Sequence, residues 1–247
     1  MLEINQIYLG DCLEVMRDIP DGSIDMILCD PPYGTTACKW DSIIPLEPMW
    51  EQLKRVIKPN GAIVLTAAQP FTTNLISSNM KMFRYTWIWD KDYSTGFANA
   101  NRMPLKGFED VLVFYKCLPI YNPQGLKEIK PKSRVRKMGS AGEVMGDHGN
   151  NTLCQKEYIT KFTNYPNSCI KTKKEKCFHP TGKPISLFEY LIKTYTNDGE
   201  TVLDFTIGSG TTAIAAINTN RNYIGIEKDK NYYQIAQERI SNHIKLI

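Results

Sequence analysis

Four consecutive residues, Asp30-Pro31-Pro32-Tyr33, bring together a carboxylate, two backbone-stiffening rings and an aromatic phenol. Such a set can hold an amino group conjugated with an aromatic ring, as in adenine or cytosine. That amine is a poor nucleophile because its lone pair is delocalised. The Asp30 carboxylate and the Pro31 carbonyl can each accept one of its hydrogens. Acceptors lying off the ring plane favour a tetrahedral nitrogen whose lone pair faces a methyl donor. Tyr33 offers an aromatic face on which a base can stack, worth roughly 1–3 kcal/mol. The two prolines fix the local backbone, so the acceptors are set in advance. The plainer alternative is a rigid turn with no chemistry.

A second constellation lies far along the chain. Val202 to Ala213 reads as a strand, a glycine-rich turn and a helix start. The spacing Gly208-x-Gly210-x-x-Ala213 suits a turn where backbone and a nucleotide come close. Glu227, at the end of the next strand, can accept from both ribose hydroxyls of an adenosine-containing cofactor. On these residues alone a nicotinamide dinucleotide fits nearly as well as a methyl donor.

The elements that must carry these residues alternate between strand-like and helix-like, which predicts βα units and a largely parallel sheet. Expected strands are Ile7–Leu9, Asp25–Cys29, Ala62–Leu65, the alternating Phe83/Tyr85/Trp87/Trp89, Val111–Tyr115, Thr201–Asp204 and Tyr223–Ile226. Expected helices run around Cys12–Met16, over residues 45–57, from Pro184, from Thr211, and after a cap at Asp229. Leu46, Met49, Trp50, Leu53 and Ile57 share one face of the second of these. Pro59-Asn60-Gly61 reads as a turn. Residues 92–107 read as a long loop, in which Asn99, Asn101 and Arg102 are candidates to receive a base. Residues 121–178 lose periodicity and read as an inserted, partly mobile segment outside the core. Trp40-Asp41 reads either as a rim residue pair facing a polymer or as an aromatic covering the next helix.

Among 247 residues, 42% are hydrophobic and 23% charged, an ordinary globular balance long enough for one α/β domain with an insert. The net charge of +4 is unevenly placed: residues 121–178 hold 12 Lys/Arg against 5 Asp/Glu. That concentration is what a polyanion-binding surface needs, although a solvated basic face is the plain reading. No apolar run of about 20 residues predicts a membrane span. The first residues lack the pattern of a signal peptide, so the expected setting is the cytoplasm. Seven scattered cysteines without Cys-x-x-Cys spacing fit reduced thiols, and Cys154, Cys169, Cys177 and His179 match no common zinc pattern, so no metal is expected.

Taken together, Asp30-Pro31-Pro32-Tyr33, Gly208-Ser209-Gly210-Thr211-Thr212, His179-Pro180-Thr181-x-Lys183-Pro184 and Gly10-Asp11-Cys12, in their order along the chain, resemble the beta class of DNA amino-methyltransferases. The resemblance covers residues 5–116 and 179–240. It implies a circularly permuted, Rossmann-like class I methyltransferase fold: an α/β domain with a seven-stranded, mostly parallel sheet and helices on both faces. Residues 1–120 and 179–247 would form the catalytic domain and 121–178 the target-recognition insert.

The resemblance further implies site-specific methylation of adenine in DNA with S-adenosylmethionine as donor. Asp30, Pro31, Pro32 and Tyr33 would be catalytic. Asp11, Cys12, Asp30, His179, Lys183, Asp204, Phe205, Thr206, Gly208, Gly210, Thr211, Thr212 and Glu227 would surround the cofactor, with Gly208 and Gly210 near its methionine portion. Lys127, Lys130, Lys132, Arg134, Arg136 and Lys137 would contact DNA phosphates. Double-stranded DNA is the implied partner, with a cognate restriction endonuclease and homodimerisation as further associations of the class. Three departures stand out: Asp204-Phe205-Thr206 where Asp-Pro-Phe is usual, Gly182 where Gln is common, and Phe108 in place of His before Glu109. Alternatives left open are methylation of the cytosine amine, of RNA or of protein, a nicotinamide-dependent oxidoreductase, and an inactive DNA-binding protein.

Overall fold

The computed structural model of the chain describes residues 2–35, 41–135, 157–173 and 182–246. The strands, in chain order, are β1 (Gln6–Leu9), β2 (Ile24–Cys29), β3 (Ile57–Ala67), β4 (Phe83–Thr95), β5 (Lys106–Phe114), β6 (Lys127–Val135), β7 (Glu157–Thr163), β8 (Cys169–Thr172), β9 (Thr201–Asp204) and β10 (Asn222–Glu227). The helices are α1 (Cys12–Val15), α2 (Leu46–Val56), α3 (Phe71–Ser78), α4 (Ile185–Tyr195), α5 (Thr211–Asn218) and α6 (Lys230–Ile244). Contacts separate two compact units: Met1–Asn122 with Asn167–Ile247, and Pro123–Pro166. The smaller unit holds the antiparallel ribbon β6–β7.

The larger unit is built on one sheet, in the order β1-β10-β9-β2-β3-β5-β4-β8. All neighbouring pairs are parallel except the two made by β5. The late strands β9 and β10 lie between the early strands β1 and β2.

Strand β2 shows why the sheet is covered on both sides. Side chains alternate across a strand, and here Met26 and Leu28 join one apolar cluster while Ile27 and Cys29 join the other. All four are fully buried, the pattern of a strand sandwiched between helices. One face packs against Leu187, Phe188 and Leu191 of α4, Ala213 of α5 and Ala236 of α6. The other packs against Met49, Trp50 and Leu53 of α2 and Phe71 and Leu75 of α3.

Several expectations are corrected. The main sheet has eight strands among the described residues, not seven, because β8 pairs in parallel with the outer edge of β4. Residues 121–178 are therefore not all outside the core. Only Ile170 of β8 is buried, beside the exposed Cys169 and Lys171, so four residues offered too little alternation to read. The supposed loop at 92–107 is shortened from both sides, since β4 and β5 pair as far as Thr95 and Lys106. Its apolar residues Tyr93, Phe97 and Met103 are exposed and follow no strand period. Pro59-Asn60-Gly61 lies within β3, at an irregularity in its register with β2. Helix α3 was not expected, because its Thr- and Ser-rich sequence has weak intrinsic helicity; Phe71 and Leu75, one turn apart, secure it to the core. Pro184 precedes α4 as its N-cap, and Asp229 caps α6 as anticipated, accepting from the backbone of Asn231 and Tyr232.

Strand direction decides what can meet. The parallel strands all finish at one edge of the sheet, and β5, running the other way, begins there. The ends of β1, β10, β9, β2, β3 and β4 and the start of β5 therefore converge, which is where open α/β sheets hold ligands. No helix among the described residues is long and apolar enough to cross a membrane.

Candidate active site

A cavity of about 750 Å³ opens at this edge, and both Asp30 and Gly208 line it. Asp30 follows directly on β2. Its Oδ1 accepts from the Tyr33 hydroxyl at 2.7 Å and from the Thr66 hydroxyl at the end of β3. Its Oδ2 accepts from Lys183 Nζ at 2.6 Å. Its backbone carbonyl accepts from the Thr206 hydroxyl at 3.1 Å, which ties the Asp-Pro-Pro-Tyr turn to the end of β9. A carboxylate has about four lone-pair sites. Three donors from the described residues leave Asp30 one acceptor position, and its side chain remains 23% exposed.

Behind Asp30 runs an alternating row of charges. Lys183 Nζ is 3.3 Å from Glu109 Oε2, and Glu109 Oε1 is 2.5 Å from Lys91 Nζ. Lys183 and Lys91 are 3% and 7% exposed. Burial by itself would depress the Lys183 ammonium, but the carboxylates of Asp30 and Glu109 outweigh it and hold its pKa above the ordinary lysine value. Breaking such a buried pair costs about 3–5 kcal/mol, because the remaining charge is left unpaired. The row thus fixes the position of the Asp30 carboxylate at the cavity.

The other end of the cavity is shaped largely by main chain. Gly208 and Gly210 both adopt left-handed backbone, with φ of 56° and 84°. The N–H of Gly208 donates to Glu227 Oε2 at 2.8 Å, and that of Asp229 donates to Oε1 at 2.8 Å. Burial raises the Glu227 pKa, and these amides partly offset it. Each Glu227 oxygen keeps a further lone pair for a ligand hydroxyl. Asp204 is buried, which pushes its pKa up to about 7, while the Thr212 hydroxyl and the Thr206 amide favour its charged form. Asp11 caps α1, and the Lys228 ammonium 3.0 Å away lowers its pKa. Burial pushes the Cys12 thiol up to about 12.

The structure brings Asp11, Cys12, Asp30, Pro31, Pro32, Tyr33, Lys183, Asp204, Phe205, Thr206, Gly208, Thr211, Thr212 and Glu227 to the lining of this one cavity. Other expected placements change. Gly210 is absent from the lining among the described residues. A Cβ there would meet Ala236 and Ile240 at 3.3 Å, so this glycine serves the packing of α5 on α6. Lys183, expected beside the cofactor, lines the cavity and also pairs with Asp30. Tyr33 is not a bare platform: its ring stacks on Phe71 at 5.4 Å and its hydroxyl anchors Asp30. Asp41 lines the same cavity. It is buried and accepts from the amides of Gly34 and Thr35, fastening the turn that follows Tyr33. Asn99, Asn101 and Arg102 are exposed beyond the cavity, to which the β4–β5 ribbon instead contributes Tyr93, Thr95, Lys106 and Phe108.

Lys127, Lys130 and Lys132 lie on β6 of the smaller unit, and Arg134 lies on the same strand. Trp40, Arg136, Lys137 and His179 lie outside the described residues. Thr66, Lys91 and Glu109 were missed as site residues. The available signal was a charged residue at the cavity end of an otherwise apolar strand, as Glu109 is at the head of Val111–Phe114.

Comparison with known proteins gives a consistent picture. A family model described as "DNA methylase", of the N6/N4 type, matches residues 24–238. The orphan methyltransferase M.BamHII of Bacillus amyloliquefaciens is 33% identical over 259 residues, covering 93% of this chain and 93% of that protein. The type II methyltransferase M.BglII of Bacillus subtilis is 30% identical, covering 96% of this chain and 69% of its own length. Among solved structures, the complex of M1.HpyAVI with SAM superposes with a TM-score of 0.63 at 25% identity, covering 95% of this chain and 98% of that one.

Proposed function

This chain belongs to the DNA methylase family of the N6/N4 type, and we propose that it methylates the exocyclic amine of adenine at specific sites in double-stranded DNA. Family membership resolves the choice between cofactors in favour of S-adenosylmethionine, which supplies an electrophilic methyl on a sulfonium. The residues present fit that group. Glu227 keeps acceptor capacity for ribose hydroxyls, Asp11 stands at the rim as an acceptor for an adenine amine, and Gly208 permits close backbone approach.

The observation that carries the reading is the Asp30 carboxylate, held by Tyr33, Thr66 and Lys183 in the same cavity as Gly208 and Glu227. Asp30 and the Pro31 carbonyl accept the two hydrogens of the target amine and turn its lone pair towards the methyl carbon. The nitrogen–carbon bond forms as the sulfur–carbon bond breaks, and one amine proton leaves to an acceptor or to solvent. Asp30 stabilises the positive charge that passes to the nitrogen, and a preset acceptor does this without reorganising. A base within duplex DNA must leave its stack to reach Asp30, at a cost of a few kcal/mol. Tyr93 and Phe108, partly exposed at the cavity, offer aromatic surface that offsets it.

Adenine is preferred over cytosine because the turn begins with Asp, which the resemblance associates with adenine enzymes; the cytosine amine is the second reading, with identical chemistry. Incubation of the protein with labelled S-adenosylmethionine and unmodified genomic DNA, followed by sequencing for modified bases, tests both. N6-methyladenine at a recurring sequence is expected, and Asp30→Ala abolishes it. N4-methylcytosine would overturn the adenine assignment, and no label in DNA would overturn the whole reading. Target recognition falls to residues 121–178 on this reading, with Lys127, Lys130, Lys132, Arg134, Arg136 and Lys137 on phosphates. Neutralising that cluster should weaken DNA binding. The slope of log affinity against log salt should flatten by about 0.9 for each phosphate that no longer meets a cation. A cognate endonuclease and a paired assembly of the chain extend the reading; protection of methylated DNA from cleavage and the mass of the protein in solution test them.

A further inference from the structure

We infer that Glu109 is a positioning residue for methyl transfer: by holding a share of the Lys183 ammonium, it leaves Asp30 able to accept the target amine. This rests on the methyl-transfer reading above.

Three observations support the inference. Lys183 Nζ stands between two carboxylates, 2.6 Å from Asp30 Oδ2 and 3.3 Å from Glu109 Oε2. Coulomb attraction falls as the inverse of distance, so the longer contact retains about four-fifths of the attraction of the shorter. The ammonium is therefore divided between the two rather than committed to Asp30. Second, Glu109 is itself held in place. Its Oε1 is 2.5 Å from Lys91, whose Nζ also lies 5.2 Å from the centre of the Trp89 ring. Third, the row alternates in sign from Lys91 through Glu109 and Lys183 to Asp30, and sums to zero. Exposure of its carboxylates rises from 14% at Glu109 to 23% at Asp30, so the row's open end faces the cavity.

The chemistry explains why the division matters. Positive charge passes to the amine nitrogen as its bond to the methyl carbon forms. Asp30 stabilises that charge best when it is not already neutralised by a fully engaged ammonium. An unbalanced site would act differently. A surplus positive charge beside the cavity repels the cationic methyl donor before any transfer takes place.

These two effects separate in a pair of variants. Glu109→Gln removes one negative charge and lets Lys183 settle on Asp30. The single-turnover rate of methyl transfer to genomic DNA should fall about 10- to 100-fold, the scale of one charge-assisted hydrogen bond, and S-adenosylmethionine should bind more weakly. Adding Lys91→Met restores the sum of charges. Cofactor affinity, measured by titration calorimetry, should then return towards wild type while transfer stays slow. Wild-type transfer by Glu109→Gln overturns the inference. So does a double variant in which rate and affinity recover together, since net charge alone would then be the cause. If Glu109→Gln does not accumulate folded, the double variant decides alone: slow transfer at normal cofactor affinity supports the inference, and a wild-type rate overturns it. Failure of the wild-type protein to label DNA would instead overturn the parent reading.

Discussion

Where Glu227 meets Gly208, the cavity is shaped by main chain: two amides grip the carboxylate, a glycine turn lies against it, and the residues involved sit within about twenty positions of one another. Where Asp30 meets Lys183, it is shaped by side chains from β2, β3, β4, β5 and the segment before α4, more than 150 positions apart at the extremes. The first arrangement suits a ligand bound by shape and backbone, the second a reacting group that needs charge. An end made of amides is difficult to retune by substitution, whereas an end made of opposed charges can be shifted by altering any one of them.

The largest expected effect tests this division directly. Asp30→Asn keeps the shape of the side chain and removes its charge. Methyl transfer should fall by about 10³-fold, the upper range for loss of one preset electrostatic contact, while binding of S-adenosylmethionine weakens only to the extent seen in Glu109→Gln, since each variant removes one negative charge from the row. Single-turnover kinetics and calorimetry measure the two separately. Parallel loss of both would mean that the ends do not act independently.

The opposite signature is expected from Glu227→Ala. Two backbone donors lose their acceptor and the ribose loses its partner, so cofactor affinity should drop by about 10- to 100-fold. At saturating cofactor the transfer rate should stay near wild type. A rate that falls at saturation would place Glu227 in the reaction as well as in binding.

The same contrast explains what the chain made legible. The glycine turn and Glu227 fall in a contiguous strand–turn–helix–strand unit, and the Asp-Pro-Pro-Tyr turn directly follows an apolar strand. Both were readable because neighbours in sequence remain neighbours in space. Lys183 was recognised but its pairing was not, because nothing near it in sequence indicates that Asp30 stands 2.6 Å away. Thr66, Lys91 and Glu109 each look like an ordinary polar residue near a strand end; only the antiparallel run of β5 carries Glu109 to the edge where β2 finishes. Strand β8 escaped notice for another reason: with Ile170 as its single buried residue, it is held by pairing to β4 and by the Trp89 indole donating to Thr172 at 2.8 Å. Gly210 adds a second constraint to its motif position, since a Cβ there would meet Ala236 and Ile240 of α6.

A smaller effect concerns Asp204, which lies on the main-chain side of the cavity. Its pKa is raised by burial to about 7, above that of an unfolded aspartate. Between about pH 4 and pH 7 the folded chain therefore binds more protons than the unfolded one, so stability falls as pH rises through that window. Asp204→Asn removes the ionisation while retaining an acceptor for the Thr206 amide. Relative to wild type, the variant should gain melting temperature at pH 8 compared with pH 5. An equal difference at both values would mean that Asp204 is not held protonated by its surroundings.

The smallest effect probes whether the main-chain end depends on the helix that follows it. Asp229 does two things: its side chain accepts from the amides of Asn231 and Tyr232 to cap α6, and its own amide donates to Glu227. Asp229→Ala removes the first and keeps the second, because the amide belongs to the backbone. Loss of an N-cap costs about 1 kcal/mol, so the melting temperature should fall by about 2–4 °C in a domain of this size. Cofactor affinity should shift by less than about tenfold, since the Glu227 grip persists. The transfer rate at saturating cofactor should not change, because no member of the Asp30–Lys183–Glu109–Lys91 row belongs to α6. A reduced rate at saturation would show that strain at the head of α6 reaches the charged end, and the two ends would then have to be treated as one coupled site.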